Sequence, residues 1–377
     1  MRSLVEEALA RESATGPQRA PALSARRTFE QSSDVDADLL AILQKLKTNV
    51  KIIGCGGGGC NTIDRIAQEG IVGADLYAAN TDAQHLLAVQ AKNKILLGRR
   101  STRGLGAGAL PQVGEEAARE AEDDIRKVLN GADIVFVTAG MGGGTGTGSA
   151  PYVAKIAKDM GALTVAVVTY PFKAEGTIRA ENAEWGLERL RNSADTVIVI
   201  PNDKLLEICP RLALNAAFKV ADEVLMRSIK GITELITKPG LVNLDFNDVK
   251  TIMKGAGVAM IGMGESSNDS DDRATDAIND ALNSPLLDVD ISGATGVLVN
   301  VIGGVDMTIS EAEKVAEIIR SKVSDSARII WGAAVDPALD HKIRVMVVIT
   351  GVSSKQMFGR TSSVRGRLDD SEVDLIR

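Results

Sequence analysis

Apolar residues recur along this chain in two rhythms. Val50–Ile53, Asp75–Ala79, Ile95–Gly98, Asp133–Thr138, Leu163–Tyr170 and Thr196–Ile200 are short runs rich in β-branched residues. Such runs form strands buried on both faces of a parallel sheet. Between them, Thr62–Glu69, Gly114–Leu129 and Pro151–Met160 carry helical periodicity. Strand and helix in alternation predict an α/β domain, with Thr196–Ile200 as the last strand of its sheet. The longest helical pattern follows, roughly Leu212–Thr237, stopped by Lys238-Pro239-Gly240. Val258–Met263, Val297–Ile302, Arg328–Ala334 and Ile343–Thr350 then read as strands, with helices at Asp272–Leu282 and Ser310–Val323. A short connection joins the last two strands, and Asn268–Asp272 reads as a polar turn. The pattern divides the chain into a mobile extension (1–35), an α/β domain (36–211) opening on the amphipathic helix Asp36–Lys47, a connecting helix (212–238), a second α+β domain (239–352) and a tail (353–377).

Glycines punctuate the first domain at the ends of its strands. Asp133–Thr138 runs into Gly140–Gly148, six glycines in nine residues. Strand, glycine loop and helix start together aim N–H groups and a helix N-terminus at an anion. With the hydroxyls of Thr145, Thr147 and Ser149 as further donors, this stretch is expected to cradle phosphate. Val50–Ile53 leads likewise into Gly54-Cys-Gly-Gly-Gly-Gly-Cys-Asn61, and Ile95–Gly98 into Arg103-Gly-Leu-Gly-Ala-Gly108. Asn80-Thr-Asp82 places polar groups at the carboxyl end of a strand, where α/β proteins bind ligands. Gly54, Gly56 and Gly59, with Asp75 beyond, satisfy the GxGxxG dinucleotide fingerprint, although any four-glycine loop does so. Three glycine loops suggest one polyphosphate wrapped from several sides.

Other residues at the same end suit the rest of a nucleotide. Glu175 and Arg179 read as an i,i+4 surface pair or, given their place after a strand, as a sugar-hydroxyl and a phosphate ligand. Phe218 and Asp222 share one face of the long helix. There the ring can stack on a purine while the carboxylate accepts from N1–H and the amine of guanine; the alternative is a core Phe and a solvated Asp. About 25 helical residues at ~1.5 Å each span roughly 37 Å, so Asn243-Leu-Asp-Phe-Asn-Asp248 is expected on the opposite pole. Asp245 and Asp248 would there orient water on a neighbouring subunit's nucleotide, or else cap a helix.

Composition narrows the classes. A net charge of −7 argues against nucleic acid as a partner. Aromatics at 3% leave the cores to Val, Ile, Leu, Ala and Met. Cys55, Cys60 and Cys209 form no disulfide framework and fit a reducing cytoplasm, and the Cys55–Cys60 pair lacks a second half for a metal. Met1–Glu12 lacks a signal-peptide pattern, and the longest uncharged run, Ile134–Ala154, is too rich in Gly, Thr and Ser for direct membrane insertion. The only histidines, His85 and His341, lie in no cleft-like context, which counts against a dehydrogenase. No GxxxxGK[ST] motif supplies a Walker lysine.

From about Asn49 to Gly351 the chain resembles the FtsZ family of tubulin-like cell-division GTPases, archaeal type. The resemblance is carried by Gly142-Gly-Gly-Thr-Gly-Thr-Gly148, Asn243-x-Asp245-Phe246-x-Asp248, Pro171-Phe172-x-x-Glu175-Gly176-x-x-Arg179, Asn80-Thr81-Asp82 and Pro201-Asn202-Asp203. It implies a Rossmann-like tubulin/FtsZ GTPase domain with a parallel sheet, a long central helix and a second α+β domain. It implies GTP/GDP bound by Gly56, Gly57, Gly58, Gly59, Asn61, Asn80, Asp82, Gly106, Ala107, Gly108, Gly142, Gly143, Gly144, Thr145, Gly146, Thr147, Gly148, Glu175 (on ribose) and Arg179. Asn202 and Asp222 would read guanine, with Phe218 packed on the base. Mg²⁺ would be held through the phosphates rather than by protein side chains. Asn243, Asp245 and Asp248 would be catalytic on the next subunit of a head-to-tail homopolymer at the mid-cell division ring. Val373–Arg377 resembles the short terminus of archaeal members, implying a SepF-like membrane adaptor. Ala109–Leu110 stand where most relatives carry a small residue and Asn, and Cys60 where Gly or Asn is commoner. The alternatives are a non-hydrolysing tubulin-like cytoskeletal regulator and a Rossmann-type NAD-dependent enzyme.

Overall fold

The computed structural model describes residues 48–208, 213–238, 240–242, 244–267, 272–287 and 289–352. The extension (1–35), the expected helix Asp36–Lys47, Cys209, Asn243, most of the turn at 268–272 and the tail with Val373–Arg377 lie outside the described residues.

In chain order the elements are β1 (Val50–Cys55), α1 (Gly56–Glu69), β2 (Ala74–Asn80), α2 (Ala83–Ala88), β3 (Asn93–Leu96), α3 (Pro111–Glu120), α4 (Glu122–Leu129), β4 (Ile134–Gly140), α5 (Thr145–Asp159), β5 (Leu163–Tyr170), α6 (Thr177–Ser193), β6 (Thr196–Pro201) and α7 (Asn202–Ile208). They continue with α8 (Leu214–Thr237), α9 (Phe246–Met253), β7 (Gly257–Ser266), α10 (Arg273–Leu282), β8 (Gly296–Gly303), α11 (Ile309–Lys322), β9 (Arg328–Val335) and β10 (Ile343–Thr350). All ten strands join one sheet in the order β3-β2-β1-β4-β5-β6-β7-β10-β8-β9.

The unbroken apolar runs have a simple cause, because both faces of the sheet are covered. Ile134 and Phe136 of β4 enter the core beneath α1 and α8, whereas Val135 and Val137 enter the core beneath α3–α6. Phe136 is fully buried, a burial that stabilises by about 2–3 kcal/mol. A third core lies around α10, α11 and the strands of the second domain. Cys55 and Cys60 belong to cores on opposite sides of the sheet. Burial pushes both thiols up to about 12, so neither presents a thiolate.

Several expectations are corrected. Thr196–Ile200 is not the sheet's last strand, since β6 pairs in parallel with β7 through Thr196–Gly257, Val197–Val258 and Ile198–Ala259. Thr196 Oγ1 also donates to Met253 O, tying β6 to the end of α9. The last two strands are joined by a short connection as expected, yet they do not pair, for β10 inserts antiparallel between β7 and β8. The polar helix Gly114–Leu129 is two helices broken at Ala121, whose ψ of 16° departs from helical values. The glycine-rich helices α1 and α5 begin six residues earlier than expected, at Gly56 and Thr145 rather than Thr62 and Pro151. Glycine's poor helix propensity hides these first turns, and Pro151 proves to lie inside α5.

In the second domain a buried guanidinium fixes the mouth of the β8–α11 turn. Arg273 donates to Glu311 and Asp306 side chains and to Asp306 O, and it is 8% exposed. Its hydrogen bonds hold the Asp306 and Glu311 carboxyls below the usual range. That stabilisation is complete above the ordinary carboxylate range, about pH 4–5, and is lost as pH falls through the depressed values. Arg273→Met should cost about 2–3 kcal/mol at pH 7, with the deficit against wild type shrinking below about pH 4 in chemical-denaturation midpoints. An unchanged midpoint would remove this cluster from the fold's supports.

Candidate nucleotide site

The loops that follow β1, β3 and β4 interlock backbone to backbone. A Cβ on Gly56 would come within 2.6 Å of Gly146 N, and one on Gly144 within 2.5 Å of Gly108 O. On Gly148 it would sit 1.9 Å from Pro111 O, and on Gly114 2.3 Å from Gly144 O. The Gly144 N–H donates to Gly108 O at 3.0 Å, fastening the third loop to the second. These glycines answer the close approach of loops to one another. Gly57, Gly106, Gly108 and Gly143 differ, for a Cβ there would meet nothing within 4 Å. They border open space, which is what a cradle for an anion requires.

Side chains stitch the loops together. Thr81 and Thr145 share a 2.6 Å hydroxyl–hydroxyl hydrogen bond between the β2 end and the start of α5. Thr147, fully buried, accepts from Gly142 N at 2.8 Å, and Ser149 donates to Thr145 O at 2.6 Å. The hydroxyls of Thr147 and Ser149 therefore build the loop instead of lining its open side, contrary to expectation. Asp82 caps α2 by accepting from His85 N at 3.0 Å. Asn80, 3% exposed, accepts from Thr81 N at 2.9 Å. Leu110 sits at the N-cap of α3 without a side-chain cap, 59% exposed; a polar residue there would cap the helix.

The β5 side contributes Glu175 and Arg179. Their carboxylate and guanidinium meet at 2.8 Å, while the other Glu175 oxygen accepts from Phe172 N at 2.9 Å. The pair thus forms as the surface reading anticipated, and it does so against the cradle, because Arg179 O lies 2.9 Å from where a Gly142 Cβ would stand. Asn182, which the sequence reading missed, donates from Nδ2 to Ala109 O (3.0 Å) and Gly142 O (3.2 Å). Its signal was the three-residue step from Arg179 along one helix face.

Beyond β6, Asn202 is 4% exposed and its Oδ1 has no hydrogen-bond partner among the described residues. A buried acceptor left open in this way fits a ligand donor. Phe218 packs edge-on against Phe172, with centroids 5.2 Å apart, yet stays 37% exposed. One turn along α8, Asp222 has its nearest cation, Arg65 Nε, at 3.9 Å. Burial pushes its carboxyl up to about 7 against that charge. An open acceptor, an exposed ring and a carboxylate are the set a purine with donor groups requires.

Asp245 and Asp248 lie elsewhere. They form a reciprocal capping box at the start of α9, with Asp248 N donating to Asp245 Oδ1 (2.9 Å) and Asp245 N to Asp248 Oδ2 (3.3 Å). Both expected roles remain open, since each retains an oxygen with no hydrogen bond among the described residues. The structure thus brings the glycine loops, Thr81 and Thr145 together, with Arg179 beside Gly142, and places Asp245 and Asp248 at a helix cap of their own.

Two glycine substitutions test this division. Gly57→Ala should leave the melting temperature of the ligand-free chain unchanged and weaken binding of a fluorescent guanine nucleotide tenfold or more, about 1.4 kcal/mol. Gly148→Ala should lower the melting temperature itself. A separate expectation concerns Asp222. A carboxyl raised in the folded state makes the ligand-free chain less stable as pH rises from about 4 to 7. Asp222→Asn should therefore raise the ligand-free melting temperature at pH 7.5 while weakening guanine nucleotide binding.

Comparison with known proteins agrees with this geometry. Residues 49–210 match the model of the tubulin/FtsZ family GTPase domain, and residues 257–353 the FtsZ family C-terminal domain. The chain is 60% identical over 360 residues to cell division protein FtsZ 1 of Archaeoglobus fulgidus, covering 96% of this chain and 95% of that one. FtsZ 1 of Thermococcus kodakarensis is 58% identical over 354 residues, covering 94% and 92%. Among solved structures, an FtsZ dimer from M. jannaschii superposes with a TM-score of 0.81 at 55% identity, over 85% of this chain and 93% of that one. With both domain models matched and this identity sustained along nearly the whole chain, the protein belongs to the FtsZ family of tubulin-like GTPases.

Proposed function

We propose that this chain binds GTP in the cradle, polymerises head-to-tail into filaments for cell division, and hydrolyses GTP at a site completed by the neighbouring subunit. One observation carries the reading: the two ends of α8 lie at opposite poles. Near its start, Phe218 meets Phe172 just beyond the carboxyl end of β5. At its end, Thr237 donates to Val72 O at 2.8 Å, two residues before β2 begins. Its 24 residues span about 36 Å. The Asp245–Asp248 carboxylates follow that far end and cannot reach their own cradle. A heterologous contact between opposite poles propagates as a filament, and it brings one subunit's carboxylates over the next subunit's nucleotide.

In this reading the glycine-loop N–H groups hold the phosphates and stabilise charge developing during phosphoryl transfer. Asn202 and Asp222 accept from the guanine edge, Phe218 covers the base, and Glu175 takes a ribose hydroxyl while Arg179 stays near phosphate. The unpartnered oxygens of Asp245 and Asp248, with Asn243, orient the attacking water. Mg²⁺ carried by the phosphates supplies further charge neutralisation. The solved M. jannaschii relative is a dimer, in keeping with self-assembly. No helix among the described residues is long and apolar enough to cross a membrane. The short apolar–acidic terminus Val373–Arg377 is suited to a SepF-like adaptor that tethers filaments at the mid-cell ring.

Phosphate release from GTP should show a threshold in protein concentration and rise linearly above it. Turnover proportional to concentration from zero would place a complete site within one chain. Because Asp245 also caps α9, the informative variant is Asp245→Asn, which keeps a capping oxygen and removes the charge. Turnover should fall about a hundredfold or more while sedimentable filaments persist. Unchanged filament turnover would confine Asp245 to its cap and favour the non-hydrolysing regulator.

A further inference from the structure

His85 lies between two residues of the site just described. Its Nδ1 is 3.1 Å from Asn80 Nδ2, and its Nε2 is 3.1 Å from Asn61 Oδ1. The main chain decides which atoms carry hydrogen. Asn80 Oδ1 accepts from Thr81 N (2.9 Å) and faces Asp82 N at 3.3 Å. Backbone N–H groups only donate, so the Asn80 amide cannot turn over, and its NH₂ must point at the imidazole. Nδ1 is then an acceptor, which leaves the single ring hydrogen on Nε2. That N–H donates to Asn61, fixing its Oδ1 inward and its NH₂ group away from the ring.

We propose that His85 is a positioning residue for nucleotide binding, holding Asn61 with its NH₂ donors presented to the ligand. The inference rests on the reading of Asn61 and Asn80 as nucleotide-binding residues. It follows a chain of orientation from the backbone at Thr81 through Asn80 and His85 to Asn61, which stands exposed on the first turns of α1. A donor there suits phosphate or carbonyl oxygens, whereas an Asn61 turned the other way would offer them an acceptor. A protonated imidazole has two N–H donors. Its Nδ1–H would oppose the Asn80 NH₂, and the arrangement would break.

Both ring partners are neutral amides, but charged groups surround the position. Asp82 stands on the capping turn of the same helix, and Asp64 and Arg65 on α1. Lys94 of β3 donates to Leu87 O, and Asp64 accepts from Gln90 N. Arg103 lies on the loop whose Gly104 O receives the Ala83 N–H. None of these is hydrogen-bonded to the imidazole among the described residues.

Glutamine offers an acceptor and a donor at a spacing close to that of the two ring nitrogens. The test compares wild type, His85→Gln and His85→Leu by titration with a fluorescent GDP analogue at about pH 7.5. Melting temperatures of the ligand-free chains are measured alongside. His85→Gln should bind as wild type does at pH 7.5. His85→Leu should bind about fivefold more weakly at pH 7.5. Binding by a folded His85→Gln as weak as that of His85→Leu would overturn the proposal, as would wild-type affinity in a folded His85→Leu. Failure of the wild type itself to bind guanine nucleotide at pH 7.5 would instead sink the nucleotide-site reading, and the role of His85 with it.

Discussion

The architecture of the binding pole depends on backbone meeting backbone without side chains between. Where α5 starts, its first turns lie against the α1 turn on one side and the loop leading to α3 on the other. At Gly56, Gly144 and Gly148 a methyl group would fall within 2.6 Å of a main-chain atom. Distances that short cannot be relieved by rotating a side chain, so the interlock tolerates glycine alone. The result is a rigid frame of peptide groups whose remaining N–H donors face open space. That frame forms from Thr81, Thr145, Thr147 and Ser149 as much as from glycine, since their hydroxyls close the gaps between loops. Preorganised donors of this kind need no rearrangement when charge develops on a ligand.

Much of the fold was legible because period and element coincide. β5 and β10 have the bounds that their apolar runs suggested, Leu163–Tyr170 and Ile343–Thr350. Burial on both sheet faces makes such runs continuous, and continuity marks their ends. The starts of α1 and α5 were hidden for a physical reason. Gly58, Gly59 and Gly146 are helical while packed against neighbouring backbone, a tertiary constraint that local propensity opposes. Sheet order was hidden as well, because nothing local to Ile343–Thr350 says that it enters between β7 and β8.

Legibility of the site followed the same division. Residues that announce themselves by type and spacing, such as Phe218 with Asp222 or Glu175 with Arg179, were readable from helix geometry. Roles that depend on what faces a side chain were not. Thr147 reads as a phosphate donor in sequence, yet it is fully buried and accepts from Gly142 N. His85 gave no cleft-like signal, because Asn61 and Asn80, its partners, come from separate elements 24 and 5 residues away. Asp245 and Asp248 illustrate a third situation, in which both readings hold, since a cap uses only one oxygen of each carboxylate.

The stretch that leads from α8 towards Asp245 also touches the rim of the sheet. Leu241 and Val242 donate to Ala333 O, and Ala333 N donates to Val242 O, so this stretch lies along β9, one of the sheet's two outermost strands. An outermost strand with free peptide groups invites another chain to extend the sheet. Here that position is partly taken by the protein's own main chain. A molecule that must associate repeatedly with its own kind is thereby discouraged from doing so sideways through β-strand addition, and ordered assembly is kept distinct from aggregation.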